Sequence, residues 1–287
     1  MVAGKIRNSQ FAIRHFPAFT LLELLVVISI IGILAALSVP ALKNLGKSNV
    51  QVSASRQLLD DIGHARAMAV SQHTTVYMVF VPGAYWLPPL TTISTWTNNL
   101  TPFALNAAVN LLDKQYTGYN FVSRRSVGDQ PGQVTPQYLS EWKSLPDGAF
   151  IATNKFNYNA YTYPNYYLIN DYVANATYPI CSFTYTNLFP FPVQTNNIVG
   201  VPYLPYIAFN YLGQLTVDGL TMAPRDEYIP LAQGAVFYAA DPATKSLLFA
   251  APDASENPPG NSTNSMFNVI RIDRLTGRAV SLQQKVQ

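Results

Sequence analysis

Apolar residues run almost without a break from Phe19 to Leu42, FTLLELLVVISIIGILAALSVPAL, where Glu23 is the one charged residue and the other interruptions are small or hydroxyl side chains. As a helix this stretch is long enough to cross ~30 Å of hydrocarbon. An acid within such a span costs free energy unless it meets a partner, so Glu23 requires an explanation. Beyond Leu42 the pattern changes period. Leu58, Leu59, Ile62, Ala65, Met68 and Ala69 fall three and four residues apart, the stripe of a helix with one buried face. One helix from Phe19 to about His73 would contain 55 residues and extend on the order of 80 Å. Its transmembrane part would be 19–42, and its second half would lie against a globular domain.

Thr74 to Val81 (TTVYMVFV) is rich in β-branched and aromatic residues and ends at Pro82-Gly83, which predicts a strand. Further strands are predicted at Gly148–Thr153, Ile207–Tyr211, Gly234–Ala239, Ser246–Ala250, Asn268–Asp273 and Arg278–Leu282, with Thr276-Gly277 turning a final hairpin. The expected fold class is α+β: a long amino-terminal helix packed on a carboxyl-terminal antiparallel β-rich domain, 74–287. Two stretches interrupt that order. Residues 83–144 form a loop-rich insertion with Pro88-Pro89, Asn98-Asn99 and Arg124-Arg125, and 154–205 form a second. Between Phe156 and Tyr211 lie sixteen tyrosines and phenylalanines of the chain's 36 aromatics, with Asp171 the only charged residue. Such a region is either an elaborated layer on the core or a contact surface for another protein, a carbohydrate or a substrate.

The segment Ala18-Phe19-Thr20-Leu21-Leu22-Glu23-Leu24-Leu25-Val26-Val27 resembles the processing site of type IV pilins and pseudopilins. In that family a membrane aspartyl peptidase, the prepilin peptidase, cuts before a phenylalanine on the cytoplasmic side and methylates the new amino terminus. The apolar segment remains as anchor and filament core. The resemblance implies a leader at 1–18, cleavage between Ala18 and Phe19, and N-methylation of Phe19. Glu23 then becomes the fifth mature residue and Pro40 the twenty-second, both positions the family uses. Ala18 departs from the usual glycine, and slower or normal cutting is the expected result. In a filament each Glu23 would lie near a neighbour's Phe19 amine, and removing either partner would leave the other charge buried and costly. Gly32 and Pro40 would loosen the helix where neighbours can satisfy the freed backbone groups. Shorter matches point to H-type minor pseudopilins and FimT-like pilins: an AR-x-x-A-V helix end at Ala65–Val70, Leu145-Pro146-Asp147-Gly148, the strand-turn Phe209-Asn210-Tyr211-Leu212-Gly213, and Thr276-Gly277-Arg278.

Charge supports this orientation and removes several alternatives. The formal charge of +3 comes from Lys5, Arg7 and Arg14, which favour a cytoplasmic amino terminus, although Lys43 and Lys47 follow the span. The rest of the chain is neutral, which argues against bulk attraction to nucleic acid. One cysteine, Cys181, excludes an intramolecular disulfide and a cysteine-based zinc cage. The histidines are His15, within the leader, and His64 and His73 on the long helix, so a Ser-His-acid triad has no base in a suitable place. Nucleotide and metalloprotease motifs are absent, and no enzyme activity, cofactor or metal is expected. Asp253, Glu256, Asn257, Asn261 and Asn264 make an oxygen-rich loop without the spacing of a defined calcium motif. Arg271, Arg274 and Arg278 could meet phosphates, but Asp273 lies among them and structural pairing is the favoured reading.

The sequence therefore points to a minor pilin or pseudopilin of a type II secretion pseudopilus or type IV pilus, single-pass in a bacterial inner membrane, with its carboxyl-terminal domain periplasmic or, once assembled, extracellular. Its expected partners are the prepilin peptidase, other pilins, an inner-membrane assembly platform and the lipid bilayer. A pilin-anchored adhesin using the tyrosine-rich insertion is the alternative, and a DNA-uptake pilin a more distant one.

Overall fold

The computed structural model describes residues 20–91, 96–126, 128–130, 133–157, 166–171, 176–195, 201–263 and 268–283; side chains at 35–49, 166–171, 176–179 and 283 lie outside that description. The chain divides into two compact units, Met1–Gly46 and Lys47–Gln287. Helix α1, Leu21–Ser71, contributes to both and continues through Gly32 and Pro40. Among the described residues no helix is long and apolar enough to cross a membrane. The predicted span is described as helix from Leu21, but its side chains from residue 35 onward are not described.

α1 stops two residues before the predicted His73, and the cause is local. His73 adopts φ 49°, the left-handed conformation that closes many helices. The Thr74 N–H donates to the Ala69 carbonyl at 3.2 Å and the His73 N–H to Val70 at 3.4 Å, so the last turn satisfies its own orphan carbonyls.

In chain order the strands are β1 Val76–Phe80, β2 Gly118–Ser123, β3 Gln137–Tyr138, β4 Lys143–Ser144, β5 Ala149–Ile151, β6 Tyr166–Asp171, β7 Ala176–Cys181, β8 Tyr206–Phe209, β9 Leu215–Thr216, β10 Glu227–Phe237, β11 Asp253–Glu256, β12 Asn268–Ile272 and β13 Ala279–Gln283. The first sheet has the order β3-β2-β1-β8-β9, with β4 also on β2; the second runs β11-β10-β12-β13, with β5 also on β10. β6 and β7 form a hairpin, and every pairing is antiparallel. The α+β order predicted from the pattern is therefore present.

Two cores lie on opposite faces of the first sheet. On the helix side, Ala54, Leu58, Ile62, Ala65 and Ala69 are completely covered and pack with Val76, Met78 and Phe80 of β1, together with Ile229 and Leu231 of β10 and Ile270 and Ile272 of β12. The stripe thus closes against both sheets at once. On the other face Tyr77, Val79 and Val81 meet Tyr85, Trp86, Trp96, Phe189, Phe191 and Ala108, the last in helix α2, Pro102–Val109. Alternation along β1 explains this division, since successive side chains point to opposite faces. The outer layer comes from both predicted insertions, which combine to cover the sheet.

The loop-rich reading of 83–144 needs correction. That stretch holds β2, which pairs along all of β1 from Val76↔Ser123 to Phe80↔Tyr119, and it also holds α2. The sequence GYNFVS contains glycine, asparagine and serine, poor strand formers alone. All six residues are buried, and packing on both faces outweighs propensity. Conversely, Ser246–Ala250 is not a strand and contributes only an isolated bridge, Ala240↔Leu247. β10 starts at Glu227 and includes the predicted segment only in part.

Candidate functional site

At its first turn α1 carries one charged side chain among aliphatic neighbours. The Thr20 N–H and hydroxyl both donate to the Glu23 carboxylate, each at 3.0 Å, and the Glu23 N–H returns a bond to the Thr20 hydroxyl at 3.2 Å. This is a reciprocal capping box: the threonine satisfies one free helical N–H, and the glutamate another. A carboxylate in the first turn also meets the positive end of the helix dipole. All the atoms involved belong to residues after Phe19, so the box would survive removal of residues 1–18.

Downstream, Leu21, Leu22, Leu24, Leu25, Val26, Val27, Ile28, Ile30, Ile31, Ile33 and Leu34 are all exposed, Leu21 by 82%. A helix apolar on every side belongs in lipid or among other helices. Nothing lies within 4 Å of where a Cβ would stand on Gly32, so another helix could approach closely there. The Ser29 hydroxyl returns to the Leu25 carbonyl at 2.8 Å, which hides its polarity within the helix. Ala18 and Phe19 lie outside the described residues, as does the side chain of Pro40.

Residues 14–39 match the family model described as Prokaryotic N-terminal methylation motif. The chain carries a type IV pilin-like prepilin signal. That signal marks a membrane-anchored precursor for prepilin peptidase, and the matched residues include Ala18, Phe19, Glu23 and Gly32 while ending one residue before Pro40. No curated protein and no solved structure matches the chain.

Past the prepilin signal, three of the short motifs quoted from the sequence meet at one point. The Arg66 Nε donates to the Thr276 carbonyl at 2.7 Å and to the Gly213 carbonyl at 3.2 Å. Gly277 has φ 64°, and a Cβ there would stand 2.0 Å from the Gly213 carbonyl oxygen. The end of α1, the β8–β9 turn and the β12–β13 hairpin are thus locked together, and only glycine fits position 277. Farther up α1, Asp61 accepts from the Tyr119 hydroxyl and pairs with Lys143, both at 2.5 Å, while Gln57 donates to the Tyr119 hydroxyl at 2.8 Å and the Ser144 carbonyl at 2.9 Å. Burial pushes the Tyr119 phenol up. These contacts fasten the polar edge of the helix to β2 and β4.

The remaining candidates separate clearly. His64 and His73 are exposed. In the oxygen-rich loop, Glu256 accepts from the Ser262 N–H and hydroxyl, and Asn261 exchanges bonds with the Gln233 backbone, so these oxygens are committed to holding the loop on β10. Asn261 and Ser262 are buried, and Asn264 lies outside the described residues. No group of three or more metal-ligating side chains occurs among the described residues. Arg271 forms a two-nitrogen contact with Asp226, at 2.7 and 2.8 Å, and Arg274 donates to the Pro224 carbonyl at 3.0 Å. Structural pairing is therefore seen for Arg271 and Arg274, while Arg278 is exposed.

Of the sixteen aromatics between Phe156 and Tyr211, nine have described side chains. Seven of these are buried, Tyr203 is half-buried and Tyr211 is exposed. Lys155, which the sequence reading passed over, is completely buried; it pairs with Glu227, donates to the Cys181 carbonyl at 2.6 Å and stands over the Phe183 ring at 4.7 Å. Burial presses its ammonium below the ordinary lysine range, while the Glu227 carboxylate opposes that shift. A single lysine beside a long neutral tract gives no sequence sign of such a role.

Proposed function

We propose that the chain is a minor pilin or pseudopilin, cut between Ala18 and Phe19 by prepilin peptidase, N-methylated on Phe19, and inserted into a filament through the apolar half of α1. The methylation motif at 14–39 carries this reading. The exposed aliphatic helix supports it, because that surface has no cover among the described residues. The capping box gives Glu23 a partner in the separate protomer. On assembly the carboxylate exchanges the neutral donors of Thr20 for a neighbour's cationic amine, a stronger partner in an apolar surrounding.

The globular unit supplies specificity rather than catalysis, and its similarity to H-type minor pseudopilins and FimT-like pilins rests on the motifs that meet around Arg66. The protein sits in the inner membrane before assembly, with the β-domain on the far side. The test is incorporation into sheared or membrane-bound filaments of the native host. Glu23→Ala is expected to abolish incorporation while the protein stays in the membrane at normal abundance, and Glu23→Gln to reduce it strongly. Unchanged incorporation of both variants would remove Glu23 from the assembly role.

A further inference from the structure

The Lys155 side chain has no exposed surface, and its position follows from backbone pairing. β5 pairs with β10 through Leu231↔Ile151, and the Ala152 N–H donates to the Pro230 carbonyl at 3.0 Å. Continued into the 3-10 turn Thr153–Phe156, that register sets position 155 against 227. The Lys155 nitrogen accordingly meets the Glu227 carboxylate. Its other neighbours are the Cys181 carbonyl at 2.6 Å and the Phe183 ring at 4.7 Å, and Phe156 packs edge-on against Phe183. Glu227 keeps 17% of its side chain exposed and lines a cavity of ≈ 230 Å³ together with Arg225, Thr184 and Tyr206. Amine and carboxyl are thus held in contact, with aromatic rings around the amine and an outlet for water beside the carboxyl.

We propose that Lys155 and Glu227 are joined by an amide bond, formed within the folded chain between Lys155 Nζ and Glu227 Cδ with release of one water molecule. Proton transfer inside the pair gives a neutral amine and a carboxylic acid, the forms that a poorly solvated site favours. The nitrogen lone pair attacks Cδ and the C–N bond forms. The C–OH bond breaks, and the hydroxyl takes a proton from the nitrogen and leaves as water; nothing is oxidised or reduced. Contact in a fixed pairing raises the effective concentration of two such groups to on the order of 10⁵ M or more, which offsets the tendency of water to keep acid and amine apart. Condensation also removes two charges whose desolvation an ion pair offsets only in part. The bond joins residues 72 positions apart, enclosing the tyrosine-rich insertion in a covalent loop fastened to β10. The proposal concerns the globular unit and does not depend on processing or on Glu23.

The full chain, purified in detergent, would be denatured in urea, digested with chymotrypsin and measured by mass spectrometry. The parent protein is expected to yield a branched species joining 151–156 to 221–228, lighter than the two free peptides together by one water molecule, with fragmentation placing the bond at Lys155 and Glu227. Neither segment contains Phe19, so leader removal and N-methylation leave the reading unchanged. Lys155→Met, which keeps an apolar stem but lacks the amine, should release 221–228 at its free mass. The decisive reading is made on the parent protein, so poor folding of the variant does not limit it. Recovery of 151–156 and 221–228 from the parent as separate peptides of unaltered mass would overturn the proposal and leave Lys155 and Glu227 as a buried ion pair. Persistence of a branched 221–228 species in Lys155→Met would overturn it as well.

Discussion

Between Leu21 and Leu34 every large aliphatic side chain of α1 is exposed, whereas between Ala54 and Ala69 the residues Ala54, Leu58, Ile62, Ala65 and Ala69 are fully covered. Both segments belong to one helix, and both are helical for the same backbone reasons. They differ in what satisfies their apolar surface. The later segment has one apolar stripe and finds its cover inside its own chain, so its contacts contribute to fold stability. The earlier segment is apolar all round and finds no cover among the described residues, a surface suited to association with lipid or other helices. Polar groups divide the same way: Arg66 and Asp61 are tied to strands and turns of the same unit, while among the described residues Glu23 is held by Thr20, three residues away.

Substitutions should therefore separate stability from assembly. The largest loss of stability is expected where backbone and packing coincide: Gly277→Ala places a Cβ against the Gly213 carbonyl in a left-handed conformation, costing about 3 kcal/mol in urea unfolding. Ile62→Ala opens a hole in the covered stripe and should cost about 2–3 kcal/mol by the same measurement. Arg66→Met leaves two carbonyls with a lost donor and should cost about 1–2 kcal/mol. Leu24→Ala, in contrast, should leave unfolding of the globular unit within about 0.5 kcal/mol of the parent while reducing filament incorporation. A large stability loss from Leu24→Ala would break the distinction between the two segments.

A separate expected effect is alkaline. Burial raises the Tyr206 phenol to about 12, and the Tyr238 phenol, also through burial, to about 12. Unfolded tyrosine titrates near ~10. Across that window the unfolded chain releases protons that the folded chain retains, so stability falls as pH rises from about 10 to 12. Tyrosinate absorbance from these buried phenols should therefore appear together with unfolding rather than before it, and Tyr206→Phe should soften the decline.

The covered stripe of α1, β1, β12 and the turn at Gly277 were legible because each depends on local periodicity or turn chemistry. β2 was not, since Gly118, Asn120 and Ser123 become strand residues only when both faces are packed. The spacing Thr20-x-x-Glu23 carries a capping-box signature, a local role for Glu23 distinct from the partner outside the chain that its place in an apolar span predicts. Arg66, Gly213 and Gly277 were visible as separate motifs, but their meeting spans 147 and 210 residues from Arg66 to its two acceptors, a relation that local pattern does not encode. The Lys155–Glu227 pair spans 72 residues and was hidden for the same reason.

The most direct test of the central claim is the mass of the amino-terminal peptide of the protein taken from its native membranes. The account predicts a peptide beginning with N-methylated Phe19. A mature protein that still begins at Met1 and retains the segment through Ala18 would contradict it, leaving α1 as the anchor of an unprocessed membrane protein.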